Sequence, residues 1–146
     1  LKTLQQHYAR KWITQEIQGY ETMLLETPNH AEHHHTLAML YLRVRQISRA
    51  RTHFEACLNL RPDYAEARVN YAIALSAAGQ TDKVIEQLRQ AVAHRPDYAD
   101  AHFNLAMALY QTGEPETAKV HFTSAVRLRP ERAEAIRSHM ERLQLH

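Results

Sequence analysis

Arg61-Pro62-Asp63-Tyr64-Ala65-Glu66-Ala67 returns 34 residues later as Arg95-Pro96-Asp97-Tyr98-Ala99-Asp100-Ala101, and prolines stand at the same interval at Pro28, Pro62, Pro96 and Pro130. An internal period of this length marks a stack of small supersecondary units. Each is too small to bury its own apolar face, so its neighbours supply the core. The stack offers a surface for binding rather than an evident catalytic centre.

Within one period the pattern is that of two helices. Val69, Ala72, Ile73 and Leu75 recur at helical spacing until Ser76-Ala77-Ala78-Gly79 stops them, and Gly79 and Gly113 are placed to close a helix in the left-handed conformation. Thr81 opens a second helix whose stripe is Val84, Ile85, Leu88, Ala91 and Val92, ending before Pro96, and Pro115 suits the first turn of the equivalent helix one period on. Asn29 with Glu32, Asp63 with Glu66 and Asp97 with Asp100 have capping-box spacing. Small residues (Ala38, Ala72, Ala106; Ala50, Ala118) alternate with large ones (Leu37, Tyr71, Leu105; Phe54, Leu88, Phe122), which specifies close helix-on-helix packing.

The small, large and proline positions at this period resemble the tetratricopeptide repeat. The first unit carries the pattern in Leu37-Ala38, Tyr41, Ala50, Phe54, Cys57 and Pro62, and the second in Tyr71-Ala72, Leu75, Gly79, Ala91 and Pro96. The third carries it in Leu105-Ala106, Leu109, Gly113, Ala118, Phe122, Ala125 and Pro130. The resemblance implies an all-α, right-handed α-solenoid of antiparallel helix pairs forming a single domain over 1–146. Its parts would be a degenerate N-terminal unit (1–30), repeats at 31–64, 65–98 and 99–132, and a capping helix (133–146) bearing Ala135, Ile136, Met140 and Leu143 on one side. In the N-terminal unit Ile17, Tyr20, Met23 and Leu24 continue a buried stripe. Arg45 stands where the later units have glycine, and His34, Arg68 and His102 stand where the family often has tryptophan, so those three positions are expected to be more polar or exposed.

With 146 residues, 45% of them apolar, 23% charged and a net charge of +2, the chain has an ordinary globular composition that does not suggest nucleic acid. No apolar run approaches the roughly 20 residues needed to cross a bilayer, so membrane insertion is not expected. The chain starts at Leu1 without methionine, and the lack of a leader therefore says little about compartment. The single Cys57 excludes an intrachain disulfide.

The resemblance also implies that first helices line a concave groove. On this chain the groove would present His35, Met39 and Arg43, then Asn70 and Ile73, then Phe103, Asn104, Met107 and Tyr110. Asn70 and Asn104 share a repeat position, where in some family members an asparagine grips the backbone of an extended peptide; an amide offers both a donor and an acceptor. The carboxylate clamp of chaperone-binding members is largely missing, because its places carry His35, Met39 and Asp100. An apolar floor of Met39, Ile73, Phe103, Met107 and Tyr110 suits an amphipathic helix or an extended segment with apolar anchors, while packing against a neighbouring helix is the plainer role for such a stripe. The acidic row Glu32, Glu66, Asp100 and Glu134 is more simply a set of helix starts than a basic-partner site.

His30, His33, His34 and His35 cluster at one helix start. Of these, His30, His33 and His34 are a weak candidate metal set, since histidines three or four apart on a helix can share an ion, but no cysteine or carboxylate completes the set and no cofactor is expected. No phosphate loop, nucleophile elbow or paired acidic motif appears, so the reading is of a non-catalytic protein-interaction module, bacterial in style, with a scaffold or assembly role. Two other readings stand beside it. One is a regulatory or substrate-presenting domain of a larger enzyme, such as a glycosyltransferase, or of a secretion or cytochrome-assembly factor. The other is a scaffold that self-assembles as a homo-oligomer.

Overall fold

A computed structural model describes residues 2–146, and every regular element among them is helical. The helices are α1 (Lys2–Glu26), α2 (Ala31–Arg43), α3 (Ile47–Leu60), α4 (Ala65–Ala77), α5 (Thr81–His94), α6 (Ala99–Gln111), α7 (Pro115–Leu128) and α8 (Ala133–Arg142), with a 3-10 turn at Pro130–Arg132 before the last. They form two compact units, Leu1–Pro62 with α1 to α3 and Asp63–His146 with α4 to α8.

In the first unit α2 packs on both α1 and α3, and in the second α5 packs on α4 and α6, and α7 on α6 and α8. Connections as short as residues 44–46, 78–80 and 112–114 leave each chain no option but to turn back on itself, so successive helices run antiparallel. Positions one period apart fill the same place in each helix pair. Ala38, Ala72 and Ala106 are at most 2% exposed, as are Phe54, Leu88 and Phe122, and as are Cys57, Ala91 and Ala125. A small residue on one helix admits the large one on its neighbour, and such interdigitation reaches the packing density of a crystal.

The turn after each first helix has one geometry. Gly79 (φ 72°) and Gly113 (φ 86°) are left-handed, and the next amide bonds back across the helix end, Gln80 N–H to the Leu75 carbonyl at 3.0 Å and Glu114 N–H to the Leu109 carbonyl at 2.9 Å. In the first unit Arg45 takes that conformation itself (φ 61°), with the Gln46 amide on the Tyr41 carbonyl at 2.9 Å.

The structure corrects three expectations. The capping boxes do not form: α2, α4 and α6 begin after His30, Tyr64 and Tyr98, one residue later than the Asn29, Asp63 and Asp97 spacing implied, because the Pro-Asx pair is spent on the turn. Glu32, Glu66 and Asp100 still lie in the first turn, where a negative charge meets exposed amides. Second, Arg68 and His102 are buried at 8% exposure and His34 is half-buried, because each has a polar partner on the following helix. Third, α1 is one continuous helix whose buried residues are Ile13 and Leu24, and Met23 is 48% exposed rather than part of the stripe.

Candidate functional site

In the second unit, α4, α5 and α6 enclose an open cleft of about 510 Å³. Its walls come from first helices, with Val69, Ile73 and Ala77 on α4 and Phe103, Asn104 and Met107 on α6, while Val84 and Leu88 of α5 close the floor. Helical period places 69, 73 and 77 on one line of α4 and 103 and 107 on one line of α6, so the same repeat that builds the core also aims this second face outward. Ile73 is 48% exposed while Ala72, Ala74 and Leu75 beside it on α4 are buried.

The candidate groove residues divide between the two units. Ile73, Phe103, Asn104 and Met107 come together in the cleft. Asn70 lies one turn before Ile73 on α4, outside the cleft lining. Tyr110 is drawn the other way, its hydroxyl donating to the Leu143 carbonyl at 3.2 Å beyond α8. Asn104 donates its amide to the Asp100 carbonyl of its own helix at 2.7 Å, which leaves the amide oxygen as an acceptor on a residue that lines the cleft. Phe103 and Met107 also serve the capping helix: the Phe103 ring stands 5.6 Å from Phe122 and 5.8 Å from His139, and His139 Nε2 lies 2.9 Å from the Met107 sulfur. His35, Met39 and Arg43 belong to the first unit, where His35 packs near the Phe54 ring at 6.1 Å and the Arg43 guanidinium sits 5.7 Å from the centre of the Trp12 ring.

The histidine cluster is occupied with structure. His30 caps α2 by accepting the His33 amide at 3.3 Å, and its ring stacks on that of His33 at 3.6 Å. His34 bonds His53 at 2.9 Å and the Pro28 carbonyl at 2.9 Å. No three histidine, cysteine, aspartate or glutamate side chains converge on a shared point among the described residues. Two members of the acidic row are likewise engaged, Glu32 with Arg61 and Asp100 with Arg132 at 3.1 Å. The first-turn amide and then Arg61 hold the Glu32 carboxyl below its usual value. Cys57 is fully buried, and burial pushes its thiol up to about 11, far from a reactive thiolate.

A polar pair passed over at the sequence level recurs at every period. His34 meets His53, Arg68 donates to Gln87 at 2.7 Å, and His102 meets His121 at 3.0 Å, each pair separated by 19 residues. The triples 34, 68, 102 and 53, 87, 121 carry a matched His/Arg/His and His/Gln/His alternation, which was the available signal.

Two tetratricopeptide repeat profiles match residues 35–83 and 77–140. No curated protein matches the chain. Among solved structures it is similar to MamA, at 24% identity over 88% of this chain and 77% of that one with a TM-score of 0.77. It is similar also to residues 41 to the end of MamA from Desulfovibrio magneticus RS-1, at 22% identity over 85% and 70% with a TM-score of 0.75. A third is YrrB, described as a TPR protein with an unusual peptide-binding site, at 17% identity over 93% and 69% with a TM-score of 0.77. These likenesses establish the fold, the all-α architecture of paired helices. No helix among the described residues is long and apolar enough to cross a membrane.

Proposed function

We propose, from the premise that the chain belongs to the tetratricopeptide repeat family, that it is a protein-interaction module without catalysis of its own, and that the cleft of the second unit takes a peptide segment or helix of a partner. The observation that carries this reading is Ile73, 48% exposed and facing Phe103 and Met107 in a cleft of about 510 Å³. An apolar anchor inserted there would remove Ile73 from water, and methionine adapts its shape to the partner. The Asn104 oxygen adds one acceptor for a backbone amide of the bound segment. Asn70, one turn before Ile73, extends the proposed contact surface along α4. The peptide-binding description of YrrB is consistent with this use of the fold.

The test is affinity capture from lysate read by mass spectrometry, comparing the natural chain with Ile73→Glu. The substituted position is already half in water, so the variant should melt within about 0.5 kcal/mol of the natural chain. Proteins retained by the natural chain and lost with the variant would identify the partner. Equal capture by both would remove the cleft as the site.

A further inference from the structure

Unit 1 carries a second cleft, of about 570 Å³, between α1 and the turn from α2 to α3. Ile13 and Ile17 of α1 supply apolar walls, and four arginines stand around it, Arg10 from α1, Arg43 and Arg45 from the turn region and Arg49 from α3. The one carboxylate in the lining, Glu21, accepts the Tyr41 hydroxyl. None of the four arginines forms an ion pair with a carboxylate among the described residues. Arg43 is held over the Trp12 ring at 5.7 Å and Arg49 over the Tyr41 ring at 5.6 Å. A guanidinium held near an aromatic ring in this way keeps N–H donors with which to bond a carboxylate.

Arg45 is the most telling of the four. Its backbone is left-handed, at φ 61°, in the place where the later repeats use Gly79 and Gly113. Glycine adopts that conformation without penalty and arginine does not, so the first repeat keeps a strained backbone in order to present a charge at the cleft. Residues 1–62 hold eight Lys/Arg against five Asp/Glu, whereas residues 63–146 hold ten against eleven, so positive charge is concentrated in this unit.

We propose that this cleft is a second docking site, which receives an acidic peptide segment whose carboxylates pair with Arg10, Arg43, Arg45 and Arg49 and whose apolar side chain rests on Ile13 and Ile17. The inference goes beyond the cleft of unit 2 and does not depend on it. A single phosphate would leave most of this volume and its apolar wall unused, whereas a segment alternating acidic and aliphatic residues fills both. Nucleic acid would need basic surface well beyond one cleft in a chain whose second unit has a net charge of −1.

The experiment is fluorescence anisotropy on the full chain with a labelled peptide of alternating glutamate and leucine, and with its glutamine counterpart. The acidic peptide should bind, weaken as salt is raised, and lose about fivefold or more in affinity to Arg45→Gly and about tenfold or more to Arg43→Gln/Arg49→Gln. Arg45→Gly should at the same time melt higher than the natural chain, which separates lost binding from lost fold. Arg137→Gln, an exposed charge of α8, should bind the peptide unchanged. Absence of binding to the natural chain, equal binding of the glutamine peptide, unchanged affinity in both arginine variants, or tighter binding of inorganic phosphate or phosphatidylserine vesicles would each overturn the proposal.

Discussion

His102 and His121 face one another Nδ1 to Nδ1 at 3.0 Å, while the other nitrogen of His102 reaches the Pro96 carbonyl at 2.9 Å. A carbonyl only accepts, so His102 donates from Nε2; as a neutral ring it then accepts at Nδ1, and His121 donates from Nδ1. His34, His53 and the Pro28 carbonyl repeat the geometry two periods earlier.

This pairing predicts a loss of stability in acid. Burial first, then the facing histidine, and for His121 also Arg89, hold His53 and His121 below their ordinary value of 6.5. A histidine depressed in the folded state binds fewer protons than when unfolded, so its contribution is complete above pH 6.5 and is lost as pH falls through the depressed value. Thermal melts should therefore drop on going from neutral pH to below 6.5. The quadruple variant His34→Arg/His53→Gln/His102→Arg/His121→Gln, which copies the Arg68–Gln87 pair into both places, should flatten that part of the profile. An undiminished slope would locate the acid sensitivity elsewhere.

Removing one member of a pair has a separate cost. His121→Ala leaves the His102 ring nitrogen buried without its partner, and should destabilise by about 1–3 kcal/mol in denaturant titrations at neutral pH.

The helix-closing turns predict substitutions of opposite sign. A methyl group added at Gly113 meets nothing within 4 Å, so Gly113→Ala tests the backbone alone and should cost about 1–2 kcal/mol at φ 86°. Arg45→Gly should gain about 1 kcal/mol by the same reasoning. Equal and small effects in both would mean that the left-handed conformation is not strained here.

The core should respond at repeat-equivalent places. Leu105→Ala empties a site that is 1% exposed and should cost about 2–5 kcal/mol, while Ala72→Leu crowds a contact 2% exposed and should cost about 1–3 kcal/mol. Melts unaffected by either would contradict the packing register.

Cys57 offers a probe of opening. With its thiol fully buried and raised to about 11, it should resist alkylation in the native chain and react at the ordinary rate once denaturant is added. Rapid native-state labelling would indicate that α3 separates from α2 far more readily than its buried contacts imply.

Much of the architecture was legible because periodicity is a property of order along the chain. The interval from Pro62 to Pro96 carries the turns, and Phe54, Leu88 and Phe122 carry the core. The polar pairs escaped notice because His34 and His53 are distant in sequence and each alone resembles a surface residue. The capping boxes misled by one position, since the spacing from Asp63 to Glu66 cannot say whether Tyr64 still belongs to the turn.

By itself, the sequence determined the all-α repeat, its period, its turns and the alternation of small and large core residues, because each depends on local propensity and on spacing along the helix. Only the tertiary structure decided which apolar side chains remain in water, that Ile73 does while Leu75 does not, and that Arg10, Arg43, Arg45 and Arg49 gather around a cleft lined by one carboxylate, Glu21. Those facts depend on which helix lies over which, and burial, like charge, is settled by neighbours that the chain brings together only when it packs.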